Sequence, residues 1–205
     1  MTGSGKIILV RHGSTKCAAE GRFCGVSDIP LDPDGIRQAE TVAKDLIPEK
    51  PSAIFSSPLK RAHSTALATA ALTGLPVKVM ESLAEADFGD WENLAPDEIE
   101  RMFPESYSSL KSGGMDFTFP NGERLRDFCA RVESASAEII NRADGGCVAV
   151  FTHGGVIRYM LCHMLGLEYS KYSAFYVPPG GRAVVETHNG KGVLTALVGN
   201  GKWES

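Results

Sequence analysis

The stretch ILVRHGST, residues 8–15, runs three apolar side chains directly into Arg11, His12 and Gly13. Taken alone it reads equally well in two ways. A strand reaching solvent can carry an arginine and a histidine at no cost, and a buried strand can deliver both groups to a pocket. The surroundings favour burial. SAIFSS (52–57) and CVAVFTH (147–153), like KIILVRH (6–12), are near-continuous apolar runs, the pattern of strands covered on both faces. A helical stretch follows each one, and that alternation predicts helices packed over a largely parallel sheet.

The helical stretches carry their own punctuation. DPDGIRQAETVAKDLI (32–47) sets Ile36, Ala39, Val42, Ala43 and Leu46 on one stripe. SPLKRAHSTALATAALTG (57–74) offers Ser57 as N-cap, Pro58 at the first helical position and Gly74 past the end. Residues 121–143 repeat Leu125, Phe128, Cys129, Val132 and Ile139 at helical spacing, and GGVIRYMLCHMLG (154–166) reads as a helix stopped by Gly166. Further on, SAFYVPPG, RAVVETHNG and VLTALVG predict strands, with NGKG (189–192) as a hairpin turn, so the sheet is expected to be mixed. Residues 90–120 have weak periodicity and several breakers, which predicts an excursion off the sheet able to cover a site.

Composition narrows the classes. A chain of 205 residues without repeats or low-complexity tracts is read as one domain over 1–205. With 43% hydrophobic and 22% charged residues it has ordinary globular composition. A net charge of −4 argues against nucleic-acid binding, which needs a basic face. No window approaches the ~18 apolar residues of a membrane helix, and MTGSGKIILV lacks a secretory cleavage pattern, so the expected address is cytoplasmic with no membrane partner. The five cysteines, Cys17, Cys24, Cys129, Cys147 and Cys162, form no CxxC pair and are expected as free thiols. No HExxH or clustered Cys/His spacing marks a metal site. Oligomeric state leaves no signal in the sequence.

Three elements deliver a cation-capable side chain at or just past a strand end: Arg11 with His12, Arg61 in the first turn after IFSSP, and His153 before Gly154 and Gly155. Ligands of open α/β sheets bind beyond the carboxyl ends of the strands, so one pocket can collect all four. Arg61 is informative, because a helix N-terminus disfavours a cation unless an anion is near. A phosphate suits two guanidinium forks and helix-start amides, and the two glycines permit close approach.

The motifs LVRHGST, SSPLKRAHSTA, EADFGDWE and FTHGGVIR, in this order across residues 6–158 and with GRFCGVSDIPLDPDGIRQAE between the first two, resemble those of the histidine phosphatase superfamily, the phosphoglycerate mutase-like group. The resemblance implies an α/β three-layer sandwich with a mostly parallel, mixed central sheet. It implies His12 as a nucleophile that forms phosphohistidine, with Arg11, Arg61 and His153 around the transferred phosphoryl group. It also implies Glu85 as the proton donor to the leaving oxygen and the acceptor from water. Ser14, Cys24, Gly25 and Gly154 are its candidate substrate contacts. No cofactor or metal is implied, and the expected partner is a small phosphorylated substrate. Relatives often carry Glu or Gln after RHG and an asparagine six residues past the histidine, where this chain has Ser14 and Ala18; Asn93 stands where many have glycine.

DFGDWENL and THGGVIRYML are similar to the branch of small-metabolite phosphatases, such as α-ribazole phosphatase and sugar phosphatases of the fructose-2,6-bisphosphatase type. The alternatives are a cofactor-dependent phosphoglycerate mutase and a non-catalytic phosphate-binding protein of the same fold. Other candidates have plainer readings. GSGK (3–6) precedes a strand and lacks P-loop spacing, so it is expected as a flexible terminus. His63 is expected at the surface, His163 as a packing or surface residue, His188 beside the turn, and Trp91 and Phe88 as either core or substrate mouth.

Overall fold

The computed structural model describes residues 4–112, 114–189 and 191–199. The elements run β1 (Ser4–Arg11), α1 (Lys16–Ala19), α2 (Pro33–Leu46), β2 (Ala53–Ser56), α3 (Lys60–Thr73), β3 (Val77–Val79), α4 (Pro96–Met102), α5 (Pro104–Lys111), α6 (Leu125–Ala143), β4 (Cys147–Thr152), α7 (Gly154–Leu165), β5 (Arg182–His188) and β6 (Lys191–Val198). The sheet order is β3-β2-β4-β1-β5-β6, with the first four strands parallel and β5 and β6 antiparallel. It is the expected mixed sheet.

Alternation along the strands builds two cores. Ile7 and Leu9 of β1, with Val148 and Val150 of β4, face α6 and α7 through Val132, Ile139, Val156 and Met160. Ile8 and Val10, with Ala149 and Phe151, face α2 and α3 through Val42, Leu46 and Ala66. The sheet is therefore covered on both sides, which is why its central strands read as unbroken apolar runs. Among the described residues no helix is long and apolar enough to cross a membrane.

Several local expectations need correction. Ile36 is 52% exposed, and the buried stripe of α2 uses Gly35 in its place. Helix α3 starts at Lys60 with Leu59 at its cap; Ser57 lies outside it, its hydroxyl turned to another partner. SAFYVPPG is no strand but the end of a 3₁₀ turn (Tyr169–Ala174) and an irregular run. LPVKVM, unassigned in sequence, supplies the edge strand β3. Ser4, Gly5 and Lys6 of GSGK belong to β1, and Lys6 is ion-paired with Glu49; Gly3 lies outside the described residues. The hairpin places His188 opposite Lys191, with Asn189 at φ 53 and Gly190 outside the described residues.

The cysteine expectation also changes. Cys17 and Cys24 are paired as a disulfide, their Cα atoms 6.4 Å apart, while Cys129, Cys147 and Cys162 are free thiols. The two are brought together because the chain turns back after α1, where Gly21 N donates to Ala18 O at 3.1 Å and Arg22 N to Cys17 O at 3.0 Å.

The excursion over 90–120 forms α4 and α5, and its aromatic residues are its core. Trp91 is fully buried, with edge contacts to Phe23, Tyr107 and Phe119 at ring separations of 5.9, 5.9 and 5.5 Å. Residue types carried this assembly rather than periodicity.

Gly13 and Gly35 meet backbone to backbone. A methyl group on Gly13 would run into the carbonyl of Gly35, and one on Gly35 into that of Ser14. Asp32, the N-cap of α2, accepts from Gly35 N and from Ser14 Oγ, each at 2.7 Å, so the strand-end loop is clamped to the helix start. Gly13→Ala is expected to lower the stability by about 3 kcal/mol through overpacking against backbone that cannot yield. Chemical denaturation would check this, and a loss under ~0.5 kcal/mol would show that the contact relaxes.

Candidate active site

Parallel strands β1 and β4 end side by side, and their register sets Arg11 opposite Thr152. The next residues, His12 and His153, therefore leave the sheet together, with rings 5.1 Å apart. His12 is anchored by its amide, which donates to Thr152 O at 3.0 Å. Helix α3, following the neighbouring strand β2, brings Arg61 to the same point.

His12 has a defined tautomer. Its Nδ1 lies 2.7 Å from the Gly13 carbonyl, which can only accept, so Nδ1 carries the proton. Nε2 is left with its lone pair, and the Nε–H of Arg61 donates into it at 3.2 Å. His153 makes its contact through Nε2, 2.7 Å from Ser57 Oγ, and its buried Nδ1 has no partner among the described residues. Burial pushes both imidazoles well below their usual pKa. The charges of Arg61 and then Arg11 act the same way on His12; on His153, Arg61, His12, Arg11 and Arg131 add to burial. Both rings are therefore neutral at physiological pH.

Arg61 is fully buried, and among the described residues no ion pair reaches it. Carbonyl oxygens hold it: Ser27 at 2.8 Å on Nη1, Gly25 at 2.6 Å and Cys24 at 3.2 Å on Nη2. Those carbonyls are aimed by Glu92, whose carboxylate accepts from the amides of Gly25, Val26, Ser27 and Phe88 at 3.0 to 3.2 Å. Arg11 donates to Val177 O at 2.9 Å, and its Nε is buried without a partner among the described residues. Burial is the largest influence on both guanidiniums and lowers each, yet arginines stay charged.

Glu85 is 7% exposed and accepts from Gly155 N at 2.9 Å and from its neighbour Ala86 N at 3.2 Å. Its backbone is fixed by Arg131 of α6, whose five N–H groups are all engaged. They reach Glu123 at 2.7 and 2.9 Å, Ser82 O at 3.0 Å, Ala84 O at 2.6 Å and Glu85 O at 3.0 Å. A methyl group on Gly155 would collide with the Glu85 carboxyl, so the glycine is needed for this approach.

A cavity of about 520 Å³ opens over these groups, lined by Arg11, His12, Glu85, Gly154, Gly155 and Arg158 among others. Arg61 and His153, expected in the same pocket, are not among its lining residues; they stand against His12, Arg61 with its Nε 3.2 Å from His12 Nε2 and His153 with its ring 5.1 Å from that of His12. Cys24, Gly154 and Ala18 line the cavity as well, so the candidates Cys24 and Gly154 sit at the site. Ser14 does not: its hydroxyl is spent on Asp32 and its amide on Gln38 Oε1, at 2.7 Å each. Gly25 contributes its carbonyl to Arg61 rather than a face to the cavity. Phe88 is a partly buried lining residue. His63 is half-buried with an unpartnered Nδ1, while His163 and His188 stand 3.9 and 3.8 Å from Glu133 and Glu186. Among the described residues no three His, Cys, Asp or Glu side chains converge to hold a metal.

Sequence reasoning missed Glu92 and Arg131. Glu92 stood inside a quoted motif but without a role. Arg131 had only one signal, a charged residue between Phe128 and Val132 on an otherwise apolar stripe.

A model of the histidine phosphatase superfamily (branch 1) matches residues 7–199. The chain belongs to that superfamily. It is 31% identical over 192 residues to phosphoserine phosphatase 1 of Hydrogenobacter thermophilus, covering 94% of this chain and 91% of that one. The fold is similar to the structure of a putative alpha-ribazole-5'-P phosphatase from Escherichia coli, with TM-score 0.88, 25% identity and coverage of 98% and 99%. A phosphoserine phosphatase mutant from Entamoeba histolytica, solved with phosphoserine, superposes with TM-score 0.83 at 27% identity, covering 94% and 96%. Membership of this superfamily, with phosphatases as full-length relatives, makes the chain a phosphomonoesterase.

The two neutral histidines give a pH signature. The unfolded chain takes up protons on both below about pH 6.5, and the folded chain does not, because its pKa values are depressed. Their contribution is therefore fully present above about pH 6.5 and lost as pH falls. The expected slope is up to about 1.4 kcal/mol per pH unit for each ring. Replacing both with residues that do not titrate should flatten the urea-midpoint profile between pH 6.5 and 5; an unchanged slope would contradict neutral burial.

Proposed function

We propose that the protein hydrolyses phosphomonoesters of small metabolites through a phosphohistidine on His12. The observation that carries this reading is the aimed lone pair of His12 Nε2, with Nδ1–H committed to Gly13 O at 2.7 Å. A buried, neutral imidazole is nucleophilic without first losing a proton. The Arg61 donor now on Nε2 makes a long bond of 3.2 Å, and an entering phosphoryl oxygen would take it over.

Nε2 attacks phosphorus, the N–P bond forms and the ester O–P bond breaks. Charge spread over the equatorial oxygens meets Arg11, Arg61 and His153, whose donors are held in place beforehand. Two of those groups, Arg11 Nε and His153 Nδ1, are buried and have no hydrogen-bond partner among the described residues. If the Ser57 hydroxyl donates to His153 Nε2, Nδ1–H points its proton at the anion. Protonated Glu85 gives its proton to the leaving alkoxide. As carboxylate it then takes one from water, which attacks phosphorus, breaks the N–P bond and restores the His12 lone pair. No cofactor enters these steps.

Substrate selection would fall to the walls of the cavity. Leu110 and Phe119 come from the 90–120 excursion, which supports reading residues 1–205 as one domain with that segment at the site mouth. Ala18 presents a methyl group where relatives often present an amide.

With p-nitrophenyl phosphate, His12→Ala is expected to lower kcat at least ~10³-fold. Glu85→Gln should release a burst of one nitrophenolate per chain and then turn over slowly, because that leaving group needs no proton but the second step loses its base. Undiminished phosphate release by His12→Ala would overturn the assignment. Isomerisation of 3-phosphoglycerate without phosphate release, given a trace of bisphosphoglycerate, would replace hydrolase by mutase.

A further inference from the structure

Three arginines line the cavity, and two of them are already occupied. Arg11 reaches Val177 O, and Arg22 is held by Glu20, Glu98 and the Asn93 carbonyl. Arg158 is different. No ion pair reaches it among the described residues, and its Nε is buried without an acceptor. A buried charged donor left without an acceptor is costly, so a lone guanidinium facing a cavity calls for an acceptor from the ligand.

The position of Arg158 bounds what that acceptor can be. It lies four residues after Gly154 on α7, so the two share a face, about 6 Å apart along the axis. Gly154 is where the Arg11 guanidinium sits: a Cβ there would be 3.4 Å from its Cζ. Arg11 and Arg158 therefore address two groups separated by about one helical turn. The walls nearby are Phe128, Tyr159, Tyr172 and Tyr176, and Glu85 is the one carboxylate among the lining residues. A single planar fork among aromatic walls matches one carboxylate, bound through two parallel N–H···O contacts, better than a dianionic phosphate, which elsewhere in this site draws two arginines and a histidine.

We propose that Arg158 binds a carboxylate of the substrate within about 6 Å of the phosphorus, so that the preferred substrates are phosphate esters of hydroxy or amino acids rather than of neutral alcohols. This rests on the phosphatase reading of the same site. The Arg158 charge also bears on Arg11, lowering it, and a ligand with two negative groups relieves that repulsion. Tyr159 and Tyr172 stack with ring centroids 5.1 Å apart and planes at 11°, forming a flat wall beside the fork against which a further substituent can lie.

The test separates binding from turnover. In the His12→Ala background, calorimetric titration with O-phospho-L-serine, 3-phosphoglycerate, propyl phosphate and ethanediol bisphosphate measures recognition alone. The two carboxylate esters are expected to bind at least ~10-fold tighter than propyl phosphate, the scale of a charge-assisted bidentate pair. That ratio should collapse to within about twofold when Arg158→Gln is added, and Arg158→Lys, which keeps the charge but not the fork, should retain part of it. A ratio near one with Arg158 intact overturns the proposal even if a variant fails to fold. So does a ratio that survives Arg158→Gln, or bisphosphate binding tighter than both carboxylate esters. Turnover of the same esters by the unmodified enzyme decides the other question: tight carboxylate binding with no hydrolysis of any ester would remove the phosphatase reading and leave the Arg158 site standing.

Discussion

The structure depends on one buried cation. Arg61 is fully buried and among the described residues no ion pair reaches it, so its charge is solvated by three carbonyl dipoles from residues 24, 25 and 27. Such an arrangement is costly to assemble in a low-dielectric interior unless the dipoles are fixed beforehand. Glu92 fixes them by gathering four amides of two loops on one carboxylate, and its charge also favours the cationic form of Arg61. Loop, carboxylate and guanidinium are thus one unit, and the fourth donor of that unit is aimed at the His12 ring.

The same desolvation acts in the same sense on the histidines, but with a different outcome, because an imidazole starts near neutrality and an arginine far above it. It disfavours their charged forms, and the neighbouring arginines push the same way. A site crowded with permanent positive charge thereby keeps its titratable bases neutral. What stabilises an incoming anion also keeps the nucleophile unprotonated, so binding and activation have one electrostatic cause.

Much of this was legible in the sequence, because strand ends in a parallel sheet are marked by composition. The apolar-to-cationic change at Val10–Arg11 and at Thr152–His153 located two strand ends that the register then sets side by side. Gly74 and Gly166 announced helix ends and adopt φ of 73° and 66°. Other features left no such mark. Ser57 looked like a helix cap, since nothing local tells a serine that caps from one that meets a histidine 96 residues away. Tyr176 sits in SAFYVPPG, which has strand composition, and Tyr172 just before it, yet both wall the cavity, Tyr172 from the 3₁₀ turn over 169–174 and Tyr176 from the irregular run after it. Glu92 and Arg131 act through backbone groups, whose direction depends on the fold and not on residue type. Trp91 could not be placed as core or mouth until its ring partners from three separate segments were known.

The contact of Gly13 with Gly35 has a bearing on how such a site can diversify. Where two backbones touch, neither residue can grow a side chain, and the loop after His12 is pinned to α2 by Asp32 as well. At Gly13 and Gly35 the pocket is closed to variation. New substrate preferences have to be written where side chains line the cavity without that backbone contact: at Ala18, Phe23 and Cys24 further along the same loop, on α5, at the start of α6, on α7 and at Tyr172 and Tyr176. Substitutions at these positions can alter what is recognised while the pinned strand end keeps its reaction.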